Sequence, residues 1–311
     1  MTEILAVITT YLAASLRMAT PLTLAGLGES CSEKSGVINI GLEAIMLSGS
    51  FCGFMVTFWT SNLFLGILGG IAGGILVSML HAVLSIKCCA DQNMIGLALN
   101  FLFLGLTSFL FLKAFGQTTV LPTCNTVNAI RIPLLSEIPV LGPVLFTQNI
   151  FVYIMFIAIG VFWFVFYKTD WCIQLTAVGE HPRAADTAGL NVFGIRYGAC
   201  LINGIFGGMA GAYITLSQLG FFMENVTAGK GYMALVAVIL GRRNPIGVLL
   251  AAMLIGFADA LQFNLQTMGI AVPSQAFSMM PYLAAVIVLL FSVNHSSNPS
   301  ALGIPYQRNK R

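Results

Sequence analysis

Apolar residues in this chain come in long runs rather than in alternating or amphipathic stripes. Stretches of roughly 17 to 25 residues are separated by short clusters of charge, proline and glycine. A hydrocarbon core of about 30 Å takes about 20 residues of helix to cross, so each run predicts a membrane-spanning helix. Nine emerge, over residues 4–27, 36–58, 63–86, 94–112, 149–167, 197–216, 231–241, 245–266 and 279–293. The seventh is short and bounded by glycine, the form taken either by a broken or re-entrant helix beside a cavity or by a tight helical turn between two spans. The predicted fold is all-α and polytopic, with residues 1–311 making one transmembrane domain.

Nine crossings place the termini on opposite sides, and the distribution of Lys and Arg selects the orientation. With the C-terminus cytoplasmic, ten basic residues lie inside: Lys34, Lys87, Lys168, Arg183, Arg196, Arg242, Arg243, Arg308, Lys310 and Arg311. Only Lys113, Arg131 and Lys230 lie outside, and Arg17 sits within the first span. The N-terminus is therefore expected outside. The outer segment 113–148, with Pro122, Pro133, Pro139, Gly142 and Pro143 between apolar pairs, reads as an interfacial stretch lying on the membrane. Gly66, Gly70 and Gly74 recur every fourth residue, as do Gly204 with Gly208 and Gly207 with Gly211, which predicts close helix contacts within one subunit.

Composition narrows the function. With 58% hydrophobic and 8% charged residues and a mean hydropathy of +0.90, the chain cannot dress a water-facing surface. A net charge of +3, dispersed along the sequence, makes no nucleic-acid surface. The seven cysteines have no metal-ligand or framework spacing and read as small apolar fillers; no cofactor or metal is expected. Met1-Thr2-Glu3 lacks the positive start of a signal peptide, so no cleavage is expected. The Gly229-Lys230 pair is followed by Gly231 and has no glycine at the upstream position of a phosphate loop, and His81, His181 and His295 fall in separate segments. Neither nucleotide hydrolysis nor hydrolytic catalysis is expected of this chain. A passive channel or an intramembrane enzyme would be the rivals from other classes.

Polar residues inside the spans are the candidate functional groups, because a central charge costs roughly 2.5 to 3.5 kcal/mol and is kept only with partners or a wet cavity. Arg17, Glu43 and Asp259 are of this kind, joined by Asn39, Asn100 and Asn203. Asn39 and Glu43, four apart, would share a helix face, with Gly36 and Gly41 loosening the backbone there; Asp259, Gln262 and Gln266 would form a stripe on the eighth span. Two uses are open: a polar lining for a solute path or its gating helices, or an internal charge pair such as Arg17 with Glu43 or Asp259. The inner connection 168–196 is the longest on its side. Pro182 can open a short helix through Ala184, Ala185 and Ala188, and Gly189 can close it, giving a small-residue surface suited to docking on a partner.

Three segments, GVINIGLEAIMLSGS at 36–50, AVGEHPRAADTAGLNV at 177–192 and ILGRRNPIGVLLAAMLIGFADAL at 239–261, resemble permease subunits of the ABC importers that include the ribose, branched-chain amino acid and nucleoside systems. ATPL at 19–22 and SEKSGVINIGLE at 32–43 are most similar to permeases of nucleoside importers that work with a basic-membrane-protein-type lipoprotein. The resemblance implies inward transport of a nucleoside, or alternatively of a simple sugar, across the cytoplasmic membrane. It also implies an ABC ATPase subunit, a second and usually different permease, and an extracytoplasmic substrate-binding lipoprotein. Within 168–196 it marks Gly179, Glu180, Pro182, Arg183, Ala184, Ala185, Asp186 and Gly189 as the segment that couples to the ATPase.

Overall fold

A 33-residue helix, α1 (Thr2–Lys34), about 50 Å long, runs through the middle of the molecule, and residues 19–33 on it are buried without exception. The computed structural model describes residues 2–116, 121–133, 135, 136, 138, 140–267, 274–292 and 298–308. Pro139, His295, Lys310 and Arg311, and Val293 at the end of the ninth expected span, lie outside the described residues. The expected first span ends at residue 27, but α1 continues for nearly two turns more. It does so because Glu29 and Glu33, which hydropathy places outside a span, find buried partners described below.

After α1 come α2 (Leu42–Thr60), α3 (Leu63–Ala82, continued by a π-turn at Val83–Lys87) and α4 (Gln92–Phe115). Two-residue strands β1 (Ile130–Arg131) and β2 (Thr147–Gln148) pair antiparallel around the short α5 (Leu141–Leu145). Then follow α6 (Ile150–Lys168), α7 (Asp170–Glu180), α8 (Pro182–Thr187), α9 (Val192–Tyr213, continued by a π-turn at Ile214–Leu219), α10 (Lys230–Leu240), α11 (Pro245–Thr267), α12 (Ser274–Ser278) and α13 (Met280–Ser292). Asx caps start several of them: Asn62, Asp91, Asn149 and Asn191 each accept from backbone N–H groups of the first turn.

Among the described residues six helices are long and apolar enough to cross a membrane: α2, α3 with its π-turn, α4, α6, α9 with its π-turn, and α11; two shorter apolar helices cover 230–240 and 275–290. They are not equivalent. Along the spanning windows of α2 and α9, 78% of residues are buried inside the protein, against 28–33% for α3, α4, α6 and α11. The first two belong to the interior and the other four present apolar side chains such as Phe101, Phe109, Ile157 and Leu250 outward.

Glycine sets the distance between α2, α3 and α9. A Cβ on Gly74 would stand 2.5 Å from the Gly208 Cα, and one on Gly70 would stand 2.9 Å from the Gly49 carbonyl oxygen. The fourth-residue spacing expected to seal helices within one subunit does so, and hydroxyls finish the seam: Ser50 Oγ donates to the Gly211 carbonyl at 2.7 Å and Ser78 Oγ to that of Cys200 at 2.6 Å.

Several expectations are corrected. Residues 35–41 are not helical, so Asn39 and Glu43 do not share a helix face; Asn39 turns the chain by accepting from the Gly41 N–H at 2.9 Å. The connection 168–196 is largely helix, since α7 fills its first half and Arg196 is buried within α9. The segment after α4 is tied to the bundle: Cys124 and Val127 donate backbone hydrogen bonds to Gly220 and Leu216 at the end of α9. Of the cysteines, Cys31, Cys172 and Cys200 are buried fillers, whereas Cys88 is exposed.

Candidate functional site

The 35–41 break lies inside the protein, where an unpaired peptide group costs several kcal/mol, so each of its hydrogen bonds must be found a partner. Side chains supply most of them. The Val37 carbonyl accepts from Ser32 Oγ at 2.9 Å, the Ile38 N–H donates to Gln92 Oε1 at 2.8 Å, the Asn39 N–H to Glu29 Oε1 at 2.9 Å, and the Ile40 carbonyl accepts from Asn100 Nδ2 at 3.1 Å. Arg196 Nε donates to the Ser35 carbonyl at 3.1 Å, and the Gly303 N–H to the Gly36 carbonyl at 3.1 Å. Gly36 itself, at φ +86°, takes a conformation open to glycine.

Asn100 also accepts from the Ala44 N–H at 2.9 Å and donates to the Tyr232 hydroxyl at 2.8 Å, joining α4 to α2 and α10. Asn203 Nδ2 donates to Glu29 Oε2 at 2.5 Å. Glu33 forms an ion pair with Arg243 at 2.5 Å, and Arg243 reaches Asn298 at 3.0 Å. Of the two uses left open, an internal charge pair of Arg17 with Glu43 or Asp259 is not made. Glu33 pairs with Arg243 and Asp186 with Arg308, while Arg17 Nε donates back to the Ala13 carbonyl at 3.2 Å.

A second irregular stretch precedes α10. Because α2 and α9 pack in parallel, with Gly49 against Gly208 and Gly53 against Ala212, the end of α9 lies level with the far part of α2. Gly231, however, packs on Glu43 at the start of α2. Residues 220–229 therefore descend into the bundle without forming helix, and α10, 11 residues or about 16 Å, covers only half a bilayer. Of the two readings of the short span, the broken or re-entrant one describes it. Glu43 receives this descent: it accepts from the Thr227 hydroxyl, from the Gly229 N–H at 2.9 Å and from the Gly231 N–H at 2.6 Å. A carboxylate on the orphan donors of a helix N-terminus also offsets its partial positive charge.

Beside this segment is a cavity of about 520 Å³ between α1, α10, α11 and α13. Gln218, Lys230, Asp259, Gln262, Ser278 and Tyr282 supply its polar groups and Met18, Met223, Met233 and Phe263 are among its apolar walls. Its volume falls in the range of small-molecule sites, about 300 to 1,000 Å³. Non-helical backbone at membrane depth is tolerated where it lines a cavity, and Val226 and Ala228 of the descending segment do line this one. Pro21 contributes from α1. Lacking an N–H, it leaves the Arg17 carbonyl without its helical donor, and Tyr213 Oη at 3.0 Å and Gln218 Nε2 at 3.2 Å take that place.

At the opposite end, α7 and α8 carry the second group of expected residues. Pro182 opens α8 and Gly189, φ +88°, closes it, its N–H donating to Asp186 while that of Leu190 donates to Ala185, as the short-helix expectation requires. Ala185 faces inward, packed with Val178, Val192 and Tyr306, whereas Arg183, Ala184 and Gly189 are exposed. Gly179 packs on the Lys34 carbonyl at the end of α1. The segment 298–308 straps this unit in place: Ala301 N–H donates to the Gly179 carbonyl at 3.0 Å, Ser300 donates to Glu180 by its hydroxyl at 2.7 Å and its N–H at 3.0 Å, and Tyr306 donates to Asp186 at 2.9 Å. The Ser300 hydrogen bonds hold the Glu180 carboxyl below the usual range. A groove of about 500 Å³ runs between His181–Ala184 and Ile304–Gln307.

The structure thus brings Asn39, Glu43, Asn100 and Asn203 into one buried framework around two interrupted helices and puts Asp259 alone of the five on the cavity wall. Sequence reasoning missed Glu29, Glu33, Gln92, Gln218 and Lys230. The available signals were the pair of acids four apart and the interior Pro21.

Comparison with known proteins agrees with this architecture. A solved structure assigned as an inward-facing metal-chelate type ABC transporter superposes with a TM-score of 0.50 at 17% identity, covering 91% of this chain and 83% of the solved one, a likeness of fold. The guanosine ABC transporter permease protein NupQ of Bacillus subtilis is 35% identical over 99% of this chain and 100% of its own length. The nucleoside ABC transporter permease protein NupC of Lactococcus lactis is 36% identical over 94% and 95%, and TsgC13 of Haloferax volcanii, provisionally named a glucose ABC transporter permease, 34% over 95% and 96%. Residues 11–291 match the family described as branched-chain amino acid transport system / permease component, and the chain belongs to that family: a multi-pass membrane permease, not an enzyme, that works with the ATPase and other subunits of an ABC transporter.

Proposed function

We propose that this chain is the permease subunit of an ATP-driven importer that carries nucleosides across the cytoplasmic membrane. The observation that carries the proposal is the near full-length similarity to NupQ and NupC at 35% and 36% identity. In this reading residues 1–311 form one transmembrane domain with the N-terminus outside and the C-terminus cytoplasmic, and nine crossings, the seventh shared between the irregular 220–229 and the half-helix α10. Its support is that Gly36, Gly179 and Ala301 meet at one end, as an even number of crossings between each requires.

The path runs by the cavity, with Asp259 on its wall. Asn39, Glu43, Asn100 and Asn203 act as positioning residues that hold the broken helices beside it. Residues 168–196 form the coupling loop at the cytoplasmic face: Gly179, Glu180, Ala185 and Asp186 fix it to its own subunit, while Pro182, Arg183, Ala184 and Gly189 meet the ATPase. A second, different permease chain and an extracytoplasmic binding lipoprotein complete the assembly.

Deletion of the gene should abolish uptake of labelled guanosine and uridine, and the intact gene should restore it, with ribose and glucose uptake unchanged. Loss of sugar uptake with nucleoside uptake retained would make a sugar permease the better reading.

A further inference from the structure

Lys230 and Asp259 line the same cavity, yet they are not an ion pair. Ion pairs within 4.0 Å join Arg243 to Glu33 and Arg308 to Asp186, and Lys230 with Asp259 is not among them. Lys230 Nζ spends one donor on a neutral acceptor, Gln218 Oε1 at 3.3 Å, and Gln218 is itself tied through Nε2 to the Arg17 carbonyl freed by Pro21. Asp259 accepts no hydrogen bond from any described residue. Tyr282, which bounds the cavity nearby, directs its hydroxyl to the Ala228 carbonyl at 3.1 Å instead.

A charge is costly at membrane depth, and attraction falls with distance, so a pair kept only for packing recovers most by closing to contact. These two stay more than 4.0 Å apart, both on the wall of one cavity. A neutral solute presenting an acceptor beside a donor can fill it, one side taking the remaining ammonium protons and the other the carboxylate.

Resting on the nucleoside reading above, we infer that Lys230 and Asp259 are the solute-contacting pair of this permease. Lys230 donates to an acceptor of an uncharged ring and Asp259 accepts from an N–H or O–H beside it. The lactam edge of a nucleobase, a ring carbonyl next to a ring N–H, has this chemistry. Gln218 holds the lysine toward the cavity, and the methionines and Phe263 take the flat face of the ring.

The test uses the assembled transporter in membranes and whichever labelled solute the wild type carries, guanosine on the reading above and glucose if that reading fails, so the two ideas fail separately. Asp259→Asn and Lys230→Gln should each lower initial uptake at least tenfold at unchanged membrane abundance. The exchange of Lys230→Asp with Asp259→Lys should restore none of it, because each group serves its own side of the solute. Recovery by the exchange to within twofold of wild type would show that the charges serve only each other, and normal uptake by both single variants would equally overturn the inference. Should any of these variants fail to reach the membrane, Gln262→Cys in a cysteine-free chain decides: solute should slow its thiol modification at least fivefold, and equal rates with and without solute sink the idea.

Discussion

Helices α2, α3 and α9 on one side and α1, α10 and α11 on the other are built from the same apolar stock, yet they solve burial in opposite ways. On the first side glycine brings backbones into contact, leaving no room for water or for long side chains. On the second, side chains of Glu33, Lys230, Arg243 and Asp259 occupy the interior, the chain is interrupted before α10, and a cavity remains. A glycine seam has one close-packed arrangement, whereas a network of hydrogen bonds to irregular backbone has partners to exchange.

The comparison breaks most visibly if the seam is opened. Gly208→Leu places a branched side chain where a Cβ alone would stand 2.5 Å from the Gly70 carbonyl oxygen, and backbone cannot yield as a side chain can. The variant should yield little or no monodisperse protein on size-exclusion after detergent extraction. Recovery equal to wild type would mean the seam is not tight.

The next effect in size tests the charged side. Arg243→Met leaves Glu33 buried and uncompensated, which should cost about 3 to 5 kcal/mol, whereas the double variant with Glu33→Leu should recover most of that loss. Thermal unfolding in detergent would measure both. A double variant no more stable than the single one would show that the two residues act independently.

The smallest effect lies outside the membrane. Since Ser300 holds the Glu180 carboxyl below its ordinary value of about 4.5, the contact contributes fully above that pH and is lost as pH falls through the lower folded value. Hydrogen exchange at the Ser300 amide, corrected for intrinsic rates, should show protection that is flat down to about pH 4.5 and declines below it. Glu180→Gln should remove that decline.

Much of the first side was legible in the sequence, because glycine spacing is a local pattern and helix length follows from hydropathy alone. The α8 helix was legible too, from Pro182 and Gly189. The second side was not. Glu29 and Asn203 stand 174 residues apart and Glu33 and Arg243 stand 210 apart, so nothing near either acid announces its partner. Val37-Ile38-Asn39-Ile40 is as apolar as a helix and differs only in where its peptide groups bond, which hydropathy does not register. Lys230, counted as an outer loop residue, proved to be a cavity residue because the preceding turn descends into the protein.

The strap of residues 298–308 carries a consequence for biosynthesis. Its contacts join Glu180 to Ser300 and Asp186 to Tyr306, each pair 120 residues apart. At about 5 to 20 residues per second, a ribosome needs roughly 6 to 24 seconds to travel from one member to the other. Throughout that interval α7 and α8 have emerged without the wall that completes their groove, so a subunit that recognises the finished groove engages completed chains and passes over nascent or truncated ones.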